Sequence, residues 1–487
     1  MVTRTRMAPS PTGEFHIGGM RTLLYNYAFA KKIGGTFVLR IEDTDRERLV
    51  EGAVDRLIDV IKDYGLSWDE GPKVGGAFAP YVQSQRLSIY KEHALKLVET
   101  GHAYYCFCSK ERLETLKEEE QKKGVASTRY DKKCANLSKE EVADNLSKNT
   151  PYVIRLKVNP GEIVSFTDTT LGPISFPTND IDDQVLLKSD GFPTYHLAVV
   201  VDDHLMKITH VLRGVEWLPS TPKHILLYQA FGWDLPIYAH LPLLKEKGDT
   251  KKLSKRMGSV SAIEFLSEGY LPEALLNFLM FLGWNPGTEK EIYSLAEFIQ
   301  DFSLDRIHKT DLVVFDRDKL LWINGHYIRA LSTKELFLKL KAYALTFSYD
   351  LNSSGDEAKD LAILSLTQER LKTLKEYNQL TDFFYHEVNV DKESLVKQSG
   401  SVDKTKAILG LFLDMFEGID ESGWHKDLLD QQSHKLLEDN DLKPKEAFMT
   451  IRVAVSGTTT TPPLFDVLYV LGKNQILRRV KVAYEML

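Results

Sequence analysis

Met7-Ala8-Pro9-Ser10-Pro11-Thr12-Gly13-Glu14-Phe15-His16-Ile17-Gly18-Gly19 is the stretch on which the reading of this chain turns. Ahead of it a short apolar strand opens at Val2; behind it Leu23, Leu24, Tyr27, Ala28 and Ala30 recur at the spacing of an amphipathic helix. A strand that breaks into a Pro- and Gly-bearing turn and then starts a helix presents unpaired backbone N–H groups, a geometry that receives an anion. Gly18 and Gly19 let a ligand approach the backbone closely, and His16 places a donor at the mouth. Read alone, the same residues also describe an ordinary strand–loop–helix corner, so the decision comes from the residues around them.

Working outward, Gly34-Gly35 closes the first helix and Thr36–Ile41 reads as a buried strand ending in Glu42-Asp43-Thr44-Asp45. Those carboxylates then lie at a strand's C-terminal edge, where doubly wound sheets bind ligands, or form an N-cap cluster for the next helix. That helix carries Val54, Leu57, Ile58 and Ile61 on one face and stops at Gly65; another runs through Leu87, Tyr90, Ala94, Leu97 and Val98 to Gly101. Strand and helix alternating in this way predict an α/β domain. Lys110–Lys123 reads as a solvated helix, and the alternation from Tyr152 to Phe176 as an antiparallel insertion. Thr209–Gly214 resumes the strand–turn–helix order, followed by a helix over Ser220–Phe231 and a strand over Ile237–Leu244. Beyond about Leu271 the strand signals fade. Glu273–Gly283, Lys334–Leu345, Ala358–Glu376, Thr405–Phe416 and Pro444–Val455 have helical periodicity, so the last part of the chain reads as all-helical.

A length of 487 residues exceeds what one core supports, so several domains are expected. A net charge of −7 argues against a general nucleic-acid coat protein and leaves room for a specific RNA partner held by local basic patches. No apolar run reaches bilayer length, the chain starts without a leader-like segment, and three cysteines make no disulfide framework; the expectation is a cytoplasmic protein with no membrane association.

A second loop, Lys251-Lys252-Leu253-Ser254-Lys255-Arg256, follows a late strand and falls at the same sheet edge as His16 if the sheet is doubly wound. Lysines and backbone N–H groups facing one cleft suit a triphosphate, whose in-line displacement is catalysed by positioning and charge stabilisation. His16, Lys255 and Lys252 are therefore the candidate catalytic residues, with Lys255 on the departing pyrophosphate. A solvated basic surface loop is the plainer alternative.

Pro9–Gly19 together with Lys252–Arg256 resembles the paired signature of class I aminoacyl-tRNA synthetases. Arg40–Asp45, Asp69–Pro72, Leu186–His204, His210–Leu218, His240–Leu244, Leu321–Ile328 and Leu471–Lys473 are similar, in wording and order, to bacterial glutamyl-tRNA synthetases. The resemblance spans nearly the whole chain. It implies a Rossmann-type doubly wound core with an inserted α+β acceptor-stem-binding domain and an all-helical anticodon-binding half. The division expected is 1–100 and 191–245 for the core halves, 101–190 for the insertion, 246–322 for a stem-contact region and 323–487 for the helical domains.

The resemblance further implies a glutamate–tRNA ligase that uses ATP with Mg2+, takes tRNA(Glu) and L-glutamate as partners, and works as a monomer. Glutamate falls to Arg6, Ser10, Glu42, Tyr195 and Arg213. Two arginines give charge-assisted contacts to a γ-carboxylate that an amide cannot match. ATP falls to Ser10, His16, Gly18, Glu216, Trp217, Leu244 and Lys255, with core packing as the alternative for Trp217. Cys106, Cys108, Tyr130 and Cys134 resemble a zinc knuckle, although Asn136 stands where many relatives have a ligand; zinc or three unligated thiols are the two readings. Arg370, Thr461 and Pro462 resemble anticodon-contacting positions, and Lys473, Arg478, Arg479 and Lys481 form a basic cluster that reads as phosphate-contacting or as a solvated face. The alternatives are an enzyme that also charges tRNA(Gln), a base-modifying relative that lacks a helical half, a glutamine enzyme, and a silent tRNA-binding protein on the same scaffold.

Overall fold

A computed structural model describes residues 2–122, 129–253 and 258–487. The first strand, β1 (Arg4–Met7), pairs in parallel with β2 (Thr36–Leu39), Arg4 opposite Thr36 and Met7 opposite Leu39. Between them α1 (Ile17–Lys32) buries Leu23, Leu24, Ala28 and Ala30 of the face the sequence periodicity marks, leaves Tyr27 half-buried, and also buries Ile17, Met20, Arg21, Tyr25 and Asn26, so the helix is covered on more than one face. The return from α1 to β2 requires glycine: a Cβ on Gly35 would lie 2.4 Å from the Thr3 carbonyl oxygen. Two further helices, α2 (Ala53–Asp63) and α3 (Leu87–Glu99), follow as expected.

The insertion begins with β3 (Ala103–Cys106) and two exposed helices, α4 (Lys110–Lys122) and α5 (Lys139–Ser147). Strands β4 (Val153–Leu156), β5 (Ile163–Asp168), β6 (Gly172–Pro177) and β7 (Val185–Leu187) follow. β3, β4 and β7 make one antiparallel sheet, and β5–β6 is a hairpin. That hairpin does not stay within the insertion. Asp168 at the end of β5 pairs in parallel with Tyr238, which joins the hairpin to the core.

The core resumes with α6 (Tyr195–Leu205), β8 (His210–Gly214), α7 (Thr221–Phe231) and β9 (Ile237–Leu241). β8 and β9 are parallel, and the Thr209 amide donates to the Arg4 carbonyl at 3.0 Å, which ties this half to β1. The parallel strands therefore point their C-terminal ends to one side, and the loops after β1, β2, β8 and β9 gather there.

The strand expected over Ile237–Leu244 is two strands. Pro242 has no N–H to offer a ladder, so β9 ends before it and β10 (Leu243–Glu246) pairs instead with β11 (Leu312–Phe315). β11 itself went unread, because a four-residue apolar run has no periodicity and its pairing is long-range.

The chain divides into two compact units: Met1–Phe265 with Leu275–Arg317, and Leu266–Ala274 with Asp318–Leu487. In the second unit every described element is helical. Its core gathers Ile408, Leu409, Phe412 and Phe416 of helix Val402–Gly418 with Ile451, Leu468, Ile476 and Val480. The single helix expected over Ala358–Glu376 is a helix, Glu357–Thr367, and two short 3-10 turns, Gln368–Arg370 and Leu374–Glu376. The break comes at a capping box, in which Glu376 accepts the Thr373 amide at 3.1 Å and that of Lys372 at 2.7 Å.

Candidate active site

A cleft of about 620 Å³ opens at the C-terminal ends of the parallel strands. Arg6, Ser10, His16, Gly18, Glu42, Tyr195, Arg213, Glu216, Trp217, Leu244 and Lys252 all line it, drawn from six separate segments of the sequence. Lys255 lies outside the described residues, as do its neighbours 254 and 256–257.

The floor of the cleft rests on a buried charge network. Arg6, at the end of β1, donates through Nε to Asp203 at 3.2 and 3.3 Å. Arg40 donates to Asp203 at 2.8 Å and to Glu42 at 3.0 Å, while Arg86, Gln83 and Tyr90 all donate to Asp202. Every one of these charged side chains is at most 7% exposed. Three guanidinium groups (Arg6, Arg40, Arg86) face three carboxylates (Glu42, Asp202, Asp203), so the network is neutral as a whole, the condition under which buried charges are tolerated. Burial raises the Asp203 carboxyl, but Arg6 and Arg40 outweigh it and hold the group below its ordinary value. For Glu42 burial prevails over Arg40 and Arg6, and the direction is upward. Among the described residues nothing accepts from the two terminal nitrogens of Arg6, which leaves that end of the guanidinium for whatever occupies the cleft. The N-cap reading of Glu42 and Asp43 fails: α2 is capped by Gly52, Glu42 accepts from Arg40 and Asp43 accepts the Ser84 amide.

Arg213 is held differently. It is 5% exposed, and no carboxylate among the described residues lies within ion-pair distance of it. Its acceptors are neutral: His240 Nε2 at 3.1 Å, Thr221 Oγ1 at 2.7 Å, Tyr195 Oη at 3.3 Å, His224 Nδ1 at 3.3 Å and the Trp217 carbonyl at 3.4 Å. Burial first, then Arg213 itself, pushes His224 well below its ordinary value, and His240 moves down from burial against the pull of Asp168. Arg213 thus meets the cleft with neutral groups in contact, the nearest carboxylate in the chain of contacts, Asp168, standing one residue back behind His240, and its guanidinium suits the carboxylate of a ligand.

The other end of the cleft belongs to the first loop. His16 is the N-cap of α1, and its Nδ1 accepts the Gly18 amide at 2.9 Å, which places the ring proton on Nε2. A Cβ on Gly19 would sit 2.8 Å from the Phe15 ring and one on Gly18 3.1 Å from His16 Nδ1, so a side chain at either position would press on its neighbours, the more so at Gly19. Lys252 and Glu216 pair with one another at 3.0 Å across the mouth. Leu244 is buried, and its carbonyl accepts the Leu253 amide at 2.7 Å, docking the second loop on β10. Ser10 is exposed on the first loop. Trp217 is 41% exposed with its ring 4.7 Å from that of Tyr195, so the core-packing reading does not hold for it.

Away from the cleft, the Sγ atoms of Cys106, Cys108 and Cys134 lie within 4.8 Å of one another. The Tyr130 hydroxyl sits among them, 3.3 Å from Cys106 and from Cys108, and accepts the Cys134 amide at 3.0 Å. The Arg155 guanidinium lies 4.1 Å above the Tyr130 ring, and Arg112 donates to Cys108 at 3.4 Å. Asn136 is exposed and outside the cluster.

In the helical unit the three anticodon candidates converge on a residue the sequence reading did not name. Arg452 donates to the Pro462 carbonyl at 2.8 Å and to Thr461 Oγ1, and it lies close enough to Arg370 for that charge to reinforce the effect of burial in lowering its pKa. The cluster Lys473, Arg478, Arg479 and Lys481 is not one basic face. Arg479 is buried and donates to the carbonyls of Val455 and His386, Lys473 binds those of Glu417 and Ile419, and Arg478 pairs with Glu387.

Asp203, Arg40, Asp202, His224, His240 and Asp168 also went unassigned in the sequence. A signal was present for three of them. Arg40 interrupts the apolar strand run Thr36–Ile41, and Asp202-Asp203 interrupt the apolar run Leu197–Val201, patterns that mark buried ion pairs.

A family profile described as the catalytic domain of class I tRNA synthetases (E and Q) matches residues 2–322, and one for an anticodon binding domain matches 335–484. A glutamate–tRNA ligase of Clostridium botulinum (strain Eklund 17B) is 44% identical over 492 residues, 99% of each chain. One from Borreliella burgdorferi is 44% identical over 493 residues, 100% of this chain and 99% of its own. The crystal structure of a glutamate tRNA ligase from Elizabethkingia meningosepticum in complex with its amino acid superposes with a TM-score of 0.90 at 36% identity, covering 100% of both chains. With similarity of this order running through both the cleft-bearing and the helical segments, the chain belongs to the glutamate–tRNA ligase family of class I tRNA synthetases.

Proposed function

We propose that the 620 Å³ cleft is where this chain activates L-glutamate with ATP and transfers the glutamyl group to the 3′ end of tRNA(Glu). The observation that carries the reading is Arg213, a buried cation with no carboxylate in contact among the described residues, lining the same cleft as Arg6. The γ-carboxylate of glutamate supplies the missing anion, Tyr195 directs a hydroxyl to it, and Glu42 accepts from the α-ammonium. Glutamine would bring an amide whose N–H groups face the N–H groups of the two arginines, and such mismatches cost factors of about 10⁴ or more in the best cases.

In the first step an α-carboxylate oxygen bonds to the α-phosphorus of ATP and the bond to pyrophosphate breaks. Negative charge grows on the phosphate oxygens, and the Nε2 proton of His16, the α1 N-terminus and Lys252 answer it. Lys255 is assigned to the pyrophosphate. Mg2+ would accompany ATP as part of the substrate and would offset the charge of its phosphates. In the second step a ribose hydroxyl of the tRNA attacks the glutamyl carbonyl carbon and AMP leaves; no protein nucleophile is required. Gly18, Leu244, Glu216 and Trp217 border the nucleotide, and opening of the Lys252–Glu216 pair frees the lysine for it.

The S₃O arrangement of Cys106, Cys108, Cys134 and Tyr130 fits zinc: three thiolates offset its charge to −1, and Arg155 and Arg112 stand beside the cluster to balance the remainder. Arg370, Thr461 and Pro462 are assigned to the anticodon, and the five-part division given above is carried with this reading, as are a cytoplasmic setting and a monomeric state. Among the described residues no helix is long and apolar enough to cross a membrane.

The test is pyrophosphate exchange in the presence of tRNA(Glu). Exchange is expected with glutamate and lost in Arg213→Ala; exchange with glutamine but not glutamate refutes the assignment. Aminoacylation of purified tRNA(Glu) and tRNA(Gln) side by side then decides whether both are charged.

A further inference from the structure

Arg213 is gripped at Nε by His240, and His240 in turn by Asp168, a residue of the β5–β6 hairpin more than 40 residues away in sequence. All three are buried, His240 and Asp168 at 0% and 1% exposure. The hydrogen-bond directions are forced. Asp168 Oδ1 accepts the amides of Thr170 and Leu171, each at 2.9 Å, so it must remain an acceptor. Oδ2 accepts from His240 Nδ1 at 2.7 Å, which fixes the ring proton on Nδ1 and leaves a lone pair on Nε2. That lone pair receives Arg213 Nε–H at 3.1 Å. On the other side His224 Nδ1 receives Arg213 Nη1–H, so the His224 proton stands on Nε2 and donates to His196 Nδ1 at 3.1 Å.

We propose that Asp168 and His240 are positioning residues for glutamate: by fixing the His240 tautomer they orient the Arg213 guanidinium without placing a carboxylate against it, and so set the preference for a carboxylate over an amide. A carboxylate in the place of His240 would hold Arg213 equally well but would cancel the charge meant for the substrate. A neutral acceptor whose tautomer is set from behind gives orientation and leaves the charge intact. This rests on the assignment of Arg213 to the glutamate side chain.

The discriminating variant is Asp168→Asn. It is isosteric, and its carbonyl oxygen stays on the amides of Thr170, Leu171 and His240, all of which Oδ1 already accepts, so its NH2 faces His240 Nδ1. The ring proton is then driven to Nε2, where it meets Arg213 Nε–H donor to donor. Expected is a rise in glutamate KM of about 10- to 100-fold, the scale of one lost charge-assisted hydrogen bond, with ATP KM unchanged within about twofold. The ratio of kcat/KM for glutamate over glutamine should fall by a similar factor. Nitrogen-15 NMR of labelled histidine should show the His240 proton moving from Nδ1 to Nε2.

His240→Gln, whose side-chain oxygen can accept from Arg213 in place of Nε2, should retain more glutamate affinity than His240→Leu, which keeps bulk but no acceptor. Unchanged glutamate KM in Asp168→Asn, or equal KM values in the Gln and Leu variants, overturns the positioning role. A loss of thermal stability with both KM values intact would assign the pair to folding alone and overturns it equally. Arg213→Ala separates this from the underlying assignment. If that variant keeps its glutamate KM, the pocket itself is wrong; if it is disabled while Asp168→Asn is normal, only the positioning role falls.

Discussion

Replacing Asp203 by Asn tests the neutral network beneath the cleft. Asp203 accepts from Arg40 at 2.8 Å and from Arg6 at 3.2 and 3.3 Å, and all three side chains are at most 5% exposed. The substitution preserves size and removes one charge, so three buried guanidiniums then face two carboxylates. Removing one partner from a buried ion pair costs about 3–5 kcal/mol, because the remaining charge is stranded away from water. At about 2 °C per kcal/mol for a unit of this length, the midpoint of thermal unfolding should fall by about 8 °C. Arg6 also loses its anchor, so glutamate KM should rise while ATP KM holds. The acid limb gives a third readout. The folded-state pKa of Asp203 lies below the ordinary 3.8, so the stabilisation it brings is present above that value and is lost as the pH falls through the lower one. The stability gap between wild type and variant should therefore be flat above about pH 4 and close below it. Calorimetry across pH with parallel pyrophosphate exchange measures all three. A midpoint within about 2 °C of wild type, where about 8 °C is expected, would refute the account of Asp203 as the keystone of the network.

Three further outcomes are expected. His16→Ala removes both an N-cap and the Nε2 donor; it should cost about 1 kcal/mol of stability and lower the exchange rate by more than it raises ATP KM. The reverse ratio would make His16 only a binder. Protein purified without added zinc should contain close to one equivalent by metal analysis, falling in Cys108→Ser; less than about half an equivalent removes the assignment of Cys106, Cys108, Tyr130 and Cys134. Burial, with help from Lys223 and Arg213, pushes His196 down to about 4, so between its ordinary 6.5 and that value the unfolded chain binds the proton that the folded chain refuses. Stability should fall by about 3 kcal/mol as pH drops across that window, and His196→Asn should flatten the slope by about one proton; an unaltered slope refutes the burial argument.

The reach of the sequence and its limits can be seen in the same cleft. Local rules located α1, α2 and α3 by their recurring apolar residues and a following glycine, and α7 by the turn before it and Gly232 after it. They did not locate β11, which pairs with β10, or the division of the late strand at Pro242, because strand pairing between distant segments leaves no local trace.

By itself the sequence determined the alternation of strand and helix, the helical C-terminal part and the family, and through the resemblance to that family it named residues that line the cleft, Lys255 lying outside the described residues. Those follow from periodicity, turn chemistry and motifs, all of which are short-range properties of the chain. Only the tertiary structure decided how the charges among those residues are apportioned. Arg6 and Arg213 look alike in the sequence, yet one is anchored by Asp203 and the other by two neutral histidines, His240 with Asp168 behind it and His224 with His196 behind it. Which arginine keeps its charge for a substrate depends on what lies within about 4 Å of it in a dry interior, where one carboxylate more or less changes the sign of the site.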